Sequence, residues 1–215
     1  DDEFGYSVAI SGTKAIVGAN QEDGPSNSAT DSGAAYIFDI TNGSGEMKPI
    51  ARLRASDREA DDRFGVSVAI SGSYAIVGAN REDGPSNSLS YSGAAYIFDI
   101  TNASGEMNPI ARLRASDRGE TDYFGLSVGI DGSYAIVGAR NEDGPPNSGA
   151  AYIFDITNAS GEMKPIARLR ASDREADDRF GYSVAISGTN AIVGAYYEDG
   201  PSNSLSNAGA ASVSY

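Results

Sequence analysis

The chain has 215 residues and a net charge of −14, because 30 aspartates and glutamates outnumber 16 lysines and arginines. Without a basic groove to offset phosphate repulsion, nucleic acid is not expected as a partner. No apolar run approaches the roughly 18 residues of a membrane-spanning helix, so no span is expected. Cysteine and histidine do not occur, which excludes disulfides, His- or Cys-based catalytic triads and His-ligated zinc.

The first elements along the chain are short, rich in β-branched residues and separated by turn residues, which predicts strands. Four strands are predicted in this first stretch: Ser7–Ser11, Ala15–Ala19, Ala34–Ile40 and Ile50–Ala55. A tight hairpin at Ser11-Gly12-Thr13-Lys14 joins the first two, and Asn42-Gly43-Ser44-Gly45 lies before the fourth. The stretch therefore predicts a four-stranded antiparallel meander.

The same unit recurs along the whole chain. Phe-Gly pairs begin at residues 4, 64, 124 and 180, in steps of 60, 60 and 56. The last step is shorter because one loop of the third copy has lost four residues. We expect a single domain over residues 1–215, with repeats at about 1–60, 61–120, 121–176 and 177–215. The last repeat ends inside its third strand and lacks an outer one. Because residue 1 is Asp and no leader is visible, we expect a processed or partial chain.

Side-chain size changes across the unit as in a wedge. Small residues fill the first two strands, whereas Tyr36, Phe38 and Ile40 enlarge the third. A unit that is narrow at an axis and wide at a rim is the blade of a β-propeller, and charge at Arg52 and Arg54 would protect its outer edge. The fold prediction is an all-β propeller of four blades. A β-solenoid is the alternative, but its coils repeat in roughly 18 to 30 residues without hairpins.

The segment from Phe4 to Ile10, FGYSVAI, followed by AIVGA at Ala15–Ala19, resembles the FG-GAP repeat. This repeat forms the blades of integrin α-subunit propellers and occurs in many microbial and algal secreted proteins; this chain looks closest to the microbial type. The resemblance implies an extracellular or cell-surface location and a recognition or adhesion role. The integrin-type calcium loop, Asp-x-Asp-x-Asp-Gly, is missing between the first two strands, so its ligands cannot be transferred.

Acidic residues gather in two kinds of loop. In a meander, the loop between the second and third strands and the loop to the next blade lie on the same face, so their charges add. Oxygen ligands of this kind suit Ca²⁺, the one cofactor that the sequence suggests. The candidate calcium ligands are Asp23, Asp57, Asp61, Asp83, Asp117, Asp143, Asp173 and Asp177. The alternative is a solvated face whose charge Arg58 and Arg63 partly compensate.

The opposite face carries an N-x-Ser sequence in each of three copies, at Asn42, Asn102 and Asn158. These are predicted glycosylation sites if the protein passes through a eukaryotic secretory pathway. The alternative is that Asn-Gly and Asn-Ala-Ser simply form good turns and were copied with the repeat.

Two functions remain open, and neither is enzymatic. The first is an extracellular recognition or adhesion module that binds a protein or glycan. Loop tyrosines are available to stack on such a ligand, namely Tyr74, Tyr91, Tyr123, Tyr134, Tyr196 and Tyr197. The second is a structural protein that assembles with copies of itself by strand addition at blade edges, into filaments or a surface layer. A carboxylate-based glycosidase is the least favoured, because its acid pair would recur in every copy.

Overall fold

The computed structural model describes residues 2–24, 28–41, 43, 45–84, 87–142, 144–200 and 208–214, and these residues form seventeen strands and no α-helix. The strands are β1 Phe4–Ser11, β2 Lys14–Ala19, β3 Ala34–Asp39, β4 Ala51–Leu53, β5 Phe64–Ser71, β6 Tyr74–Ala79, β7 Ala94–Asp99, β8 Gly105–Met107, β9 Ala111–Leu113, β10 Phe124–Asp131, β11 Tyr134–Ala139, β12 Ala150–Asp155, β13 Gly161–Met163, β14 Ala167–Leu169, β15 Phe180–Ser187, β16 Asn190–Ala195 and β17 Ala210–Ser214.

Each copy forms one sheet, which confirms four blades and an all-β propeller fold. The antiparallel meanders run β1-β2-β3-β4, β5-β6-β7-β9, β10-β11-β12-β14 and β15-β16-β17, so the fourth blade stops at its third strand as predicted. The hairpin between the first two strands of each blade is also where the sequence places it.

The outer strands differ from the prediction. They span only three residues each, as in Ala51–Leu53, and in the first two blades a further strand from the next copy pairs beside them. Strand β8 pairs in parallel with β4, and β13 pairs in parallel with β9. The fourth strand is therefore not the edge of the first two blades. Strands β8 and β13 are only three residues long, which is too short for an alternating pattern of apolar and polar residues. The sequence therefore predicted only a turn in these segments.

The inner strands differ from the prediction as well, because each begins at its Phe-Gly pair. In the first blade Phe4 pairs with Ala19, and a register shift separates this pair from the one formed by Ser7. Gly5 lies between them with a φ of 94°, a conformation that glycine adopts without steric cost. Because the pairing is irregular between Phe4 and Ser7, the residue pattern predicted a strand that begins at Ser7 rather than at Phe4.

The hydrophobic core lies between the blades. We call the side of a blade that bears its inner-strand Phe the backward face, and the opposite side the forward face. At the first interface, Ile16, Ile37 and Leu53 of the first blade's forward face pack with Phe64 and Val68 of the second blade's backward face. The same arrangement recurs at the next two interfaces. Each blade therefore depends on its neighbours for burial.

Adjacent blades approach backbone to backbone at the inner strands. The hydroxyl of Ser7 donates to the carbonyl of Gly65 at 2.7 Å, and Ser67 does the same to Gly125 at 2.7 Å. A Cβ at Gly18 would overlap the Gly65 carbonyl oxygen. Small residues near the axis are therefore required, in agreement with the predicted wedge.

The two outward faces at the ends of the blade series are exposed. On the backward face of the first blade, Val8 and Ile10 are 69% and 67% exposed, whereas the equivalent Val68 and Ile70 are 9% and 8% exposed. On the forward face of the fourth blade, Ile192 is 44% exposed. Within the described ranges, the first and fourth blades therefore do not close on each other as the interior blades do.

Candidate ligand-binding site

All four blades meet at one pocket. Tyr6, Val66, Leu126 and Tyr182 follow directly after the four Phe-Gly pairs, and all four line a cavity of about 380 Å³. Because equivalent residues of every blade meet there, the blades are arranged around a common centre. We call this cavity the axial pocket; its other described lining residues are Arg63, Asn80, Arg81, Tyr123 and Arg140.

The axial pocket is locally cationic in a strongly acidic protein. Its described lining contains three arginines and no carboxylate. A guanidinium nitrogen of Arg63 lies 4.0 Å from Asp31. Arg81 and Arg140 form no ion pair with any carboxylate in the part of the chain that the structure describes. Their guanidinium groups instead lie over aromatic rings. The pocket therefore holds positive charge that the protein itself leaves uncompensated.

Tyrosine rings hold the two unpaired guanidinium groups. The guanidinium carbon of Arg81 lies 5.4 Å from the ring centroid of Tyr91, which stacks on Tyr123 at 5.9 Å. The guanidinium carbon of Arg140 lies 5.1 Å from the Tyr123 centroid and 5.8 Å from that of Tyr182. Cation–π contacts of this kind favour one orientation of each guanidinium. Tyr91 and Tyr123 thus support the pocket.

The four copies differ from one another around this pocket. The Phe-Gly pair and the AIVGA segment are identical in all four copies. At the pocket, by contrast, the equivalent sets are Glu3, Arg63, Tyr123 and Arg179; Tyr6, Val66, Leu126 and Tyr182; Asn20, Asn80, Arg140 and Tyr196; and Gln21, Arg81, Asn141 and Tyr197. The propeller fold does not dictate these residues, since each position is occupied by at least three residue types among the four blades. Sequence reasoning missed the pocket, and these differences were the signal for it.

The predicted acidic face brings its two kinds of loop together. The amide of Asp61 donates to the carbonyl of Thr30 at 2.8 Å, and the amide of Arg63 donates to Asp31 at 3.1 Å. Loops of both kinds therefore do share one end of the blades.

Arginines from the outer strands and the interblade loops neutralise much of this face. The buried carboxylate of Glu82 pairs with Arg112 and, at 3.2 Å, with Arg118. Arg112 also pairs with Asp57, which accepts a 2.8 Å hydrogen bond from the Tyr96 hydroxyl. The equivalent pairs join Glu22 to Arg52, Glu142 to Arg168, Arg170 and Arg174, and Asp117 to Arg168 and Tyr152. Arg52 and Arg54 thus bind carboxylates, Glu22 and Glu106 respectively, and do not protect an open edge as predicted, because β8 pairs beside β4.

The candidate calcium ligands have varied environments. Asp23, Asp83 and Asp177 accept hydrogen bonds from Asp31, Tyr91 and Asn147; Asp61 and Asp173 are exposed; and Asp143 lies outside the described residues. Because Asp57 and Asp117 are already bound to arginine, they do not fit a calcium site as placed. The described residues contain no group of three or more acidic side chains that could hold a metal. Calcium binding stays a prediction. It predicts a melting temperature that rises with millimolar calcium, and a melting temperature that chelation leaves unchanged would contradict it.

The pKa of the Asp62 carboxyl lies well above its ordinary value. Burial raises the pKa of this carboxyl to about 7, and the charges of Glu82 and Asp57 act in the same direction, while the amide of Glu59 donates a hydrogen bond to it. The folded protein therefore keeps a proton on Asp62 at pH values where the unfolded chain, with an ordinary pKa of 3.8, has lost it.

This pKa shift predicts that stability falls as pH rises from about 4 to about 7, because the unfolded state binds fewer protons there. The variant Asp62→Asn should lack this contribution. Between pH 5 and pH 8 the wild type should lose about 1–3 kcal/mol of unfolding free energy relative to the variant. Urea denaturation of both proteins at the two pH values measures the difference, and parallel pH profiles would contradict the assignment.

The predicted glycosylation positions are accessible where the structure describes them. Asn102 and Asn158 are exposed in turns, and Asn42 lies outside the described residues. Glycosylation stays a prediction. Intact-mass measurement of native protein should show hexose increments, and their absence would refute it.

No helix in the described residues is long and apolar enough to cross a bilayer. In fold, the chain is similar to the crystal structure of the computationally designed Ika4 protein, with a TM-score of 0.52 and 13% identity over 99% of this chain and 90% of that one. It is also similar to the computationally designed Ika8 protein, with a TM-score of 0.50 and 10% identity over 89% of this chain and 42% of that one. These likenesses support the propeller fold alone.

None of the curated proteins compared with the chain matches it. A family model does match, the FG-GAP repeat, at residues 1–38, 48–98, 108–154 and 164–214. Each match contains one Phe-Gly pair together with the strands that follow it, and the four matches account for all four blades. The chain therefore belongs to the FG-GAP repeat family.

Proposed function

We propose that this protein is a non-enzymatic extracellular recognition or adhesion module whose protein or glycan partner binds at the axial pocket. The observation that carries the proposal is that the residues lining that pocket differ between the repeats, whereas the Phe-Gly pair and the AIVGA segment of every blade are identical. The near-identical strands of the blades form the walls around the pocket, and residues such as Arg81, Tyr123 and Arg140 make its lining cationic and aromatic. Exposed polar and aromatic residues that the fold does not require are typical of binding surfaces.

Family membership supports the location, since FG-GAP repeats are typical of extracellular proteins. A recognition role also agrees with the polar groups around the axial pocket. A glycosidase needs a carboxyl pair across its cleft, and the described lining of the pocket has none. The buried carboxylates elsewhere, such as Glu82, hold neighbouring arginines.

The chain's own copies supply variants that should fold normally. Gln21 and Asn20 occupy the places of Arg81 and Arg140 in the first blade. The double variant Arg81→Gln, Arg140→Asn should therefore keep its melting temperature while losing at least about tenfold in affinity, since hydrogen bonds to charged groups contribute roughly 1.5–3 kcal/mol. Glycan-array and matrix-protein binding first identifies a partner, and biolayer interferometry then measures affinity.

The matched control is Arg58→Gln, which removes an arginine that has no ion pair in the described ranges and lies outside the pocket. It should bind like the wild type. A partner that binds the double variant as tightly as the wild type would contradict the assignment of the pocket.

Self-assembly is the second candidate, because the two end faces are chemically complementary. Ile192 and Val213 of the fourth blade occupy the places of Ile76 and Ile97, which pack under the next blade. Phe4, Val8 and Ile10 of the first blade offer the matching backward face. A second copy can therefore dock head to tail by an interface already used three times within the chain, and such heterologous contacts generate rings or filaments. The strand addition at blade edges that the sequence suggests stays open only for the third and fourth blades, since β8 and β13 pair beside the outer strands of the first two.

If this association occurs, sedimentation velocity should show mass that increases with protein concentration. A charge in the apolar face should abolish it, so Val8→Glu should sediment as a monomer. Lys48→Glu, in an exposed loop, is the matched control and should behave like the wild type. A wild type that stays monomeric at every concentration would remove this candidate.

A further inference from the structure

We infer that the axial pocket binds the carboxylate of an acidic saccharide, a sugar of the uronic acid type. This inference rests on the proposed recognition function and specifies its ligand. It follows from three properties of the pocket: unpaired guanidinium groups, tyrosine rings beside them, and a buried amide oxygen without a partner.

The first property is the unpaired positive charge. Within the described residues, arginines of the outer strands such as Arg112 and Arg114 pair with carboxylates, whereas Arg81 and Arg140 do not. The Nε of Arg140 is buried and has no hydrogen-bond partner among the described residues. A carboxylate matches the planar fork of a guanidinium. A carboxylate on the ligand therefore supplies the partner that the protein lacks.

The second property is the ring environment. Tyr6, Tyr123 and Tyr182 line the pocket beside the arginines, and each offers an apolar ring face and a polar hydroxyl tip. A saccharide ring has the same mixed character, with C–H groups on its faces and hydroxyl groups at its edge. Because stacked neighbours and cation–π contacts already hold Tyr123 and Tyr182, little side-chain freedom remains to be lost on binding.

The third property is Asn80. Its side-chain oxygen is buried without a hydrogen-bond partner among the described residues, and buried polar atoms normally have one. A sugar hydroxyl can donate to this oxygen. An acidic peptide can also donate, through its amide N–H groups, but only a sugar combines such donors with a ring whose C–H faces stack on the tyrosines of the pocket. The saccharide is therefore the better match.

Size and charge restrict the ligand further. A cavity of about 380 Å³ lies near the lower end of the range for small-ligand pockets. The protein as a whole carries a net charge of −14, which repels densely charged polymers. The pocket therefore suits one acidic sugar unit, such as a chain end, rather than a long polyanion.

The test uses glucuronate and glucose as probes, because these two sugars differ only in a carboxylate against a hydroxymethyl group. Isothermal titration calorimetry on the full chain should show glucuronate binding at least about tenfold tighter than glucose. Arg81→Gln and Arg140→Asn should each weaken glucuronate binding about tenfold, Arg58→Gln should leave it unchanged, and raised ionic strength should weaken it.

The outcomes separate this inference from the proposed function. Equal affinity for both sugars, with loss in the pocket variants, would overturn the acidic class and keep the pocket as a recognition site. Tighter binding of an acetylated diglutamate peptide than of glucuronate would overturn the saccharide class. Glucuronate binding that survives both pocket substitutions would overturn the site itself. No glucuronate binding would overturn the inference, and array partners indifferent to the pocket variants would then also overturn the proposed function.

Discussion

Gly78→Ala should cost about 3 kcal/mol or more of unfolding free energy, which is one of the two largest effects that the structure predicts. A Cβ at Gly78 would overlap the carbonyl oxygen of Gly125 in the next blade and the hydroxyl of Ser67. Because Ser67 donates to that same carbonyl at 2.7 Å, the two blades cannot separate without losing this bond. The loss of unfolding free energy therefore comes from overpacking a backbone contact that cannot move apart.

The matched control for Gly78 is Gly72→Ala in the hairpin turn of the same blade. Gly72 has a φ of 54°, and a Cβ at this position would meet no other atom within 4 Å. Its substitution should therefore cost only about 1–2 kcal/mol of backbone strain. Urea denaturation of the two variants gives the comparison. Equal losses would show that the blades do not approach each other at the inner strands.

Phe124→Ala should cost about 3–5 kcal/mol, whereas Phe4→Ala, at the same position in the first blade, should cost far less. Both rings pack on aromatic partners of their own blade: Phe124 lies 5.6 Å from Tyr152, and Phe4 lies 5.6 Å from Tyr36, between ring centroids. They differ in what covers them, since Phe124 is fully buried and Phe4 is 58% exposed. The difference in unfolding free energy therefore measures burial by the preceding blade.

Thermal and urea unfolding at low protein concentration gives both values for this pair. If Phe4→Ala proved as costly as Phe124→Ala, the backward face of the first blade would have to be covered in solution. Repeating the comparison at high concentration shows whether a second copy supplies that cover, because only then would the cost of Phe4→Ala rise with concentration.

Much of the fold could be predicted because the same pattern occurs four times. Tight turns such as Ser11–Lys14 and β-branched strands such as Ala15–Ala19 are local signals, and repetition made each of them more certain. Blade number, the meander and the missing outer strand followed from these signals. The small residues of the inner strands, Gly18 among them, also predicted the close approach at the axis correctly.

The strands that link one copy to the next could not be predicted in this way. Gly105–Met107 and Gly161–Met163 become strands because the outer strand of the preceding blade lies beside them. Their sequence is that of a turn with a few polar residues, and only the tertiary arrangement supplies their partner. A strand of three residues that pairs in parallel with a distant segment shows no alternation of apolar and polar residues that the sequence could reveal.

The candidate site shows the same division between local and tertiary information. The acidic loops were visible in the sequence, but the arginines that bind their carboxylates, such as Arg112, lie on an outer strand 30 residues from Glu82. The axial pocket needs residues from all four blades, so no single segment reveals it. Its signal was the variation at places such as Arg81 and Arg140, which has meaning only once the blades are known to meet there.

The arrangement of the blades around one axis is the central claim, and a distance between Tyr6 and Tyr182 tests it most directly. The chain has no cysteine, so Tyr6→Cys and Tyr182→Cys allow clean double nitroxide labelling and a pulsed electron paramagnetic resonance measurement. Because both residues line the same pocket, we expect a separation well below 30 Å. Four sheets stacked in a line at about 10 Å per sheet would instead give roughly 30 Å, and that result would contradict the propeller.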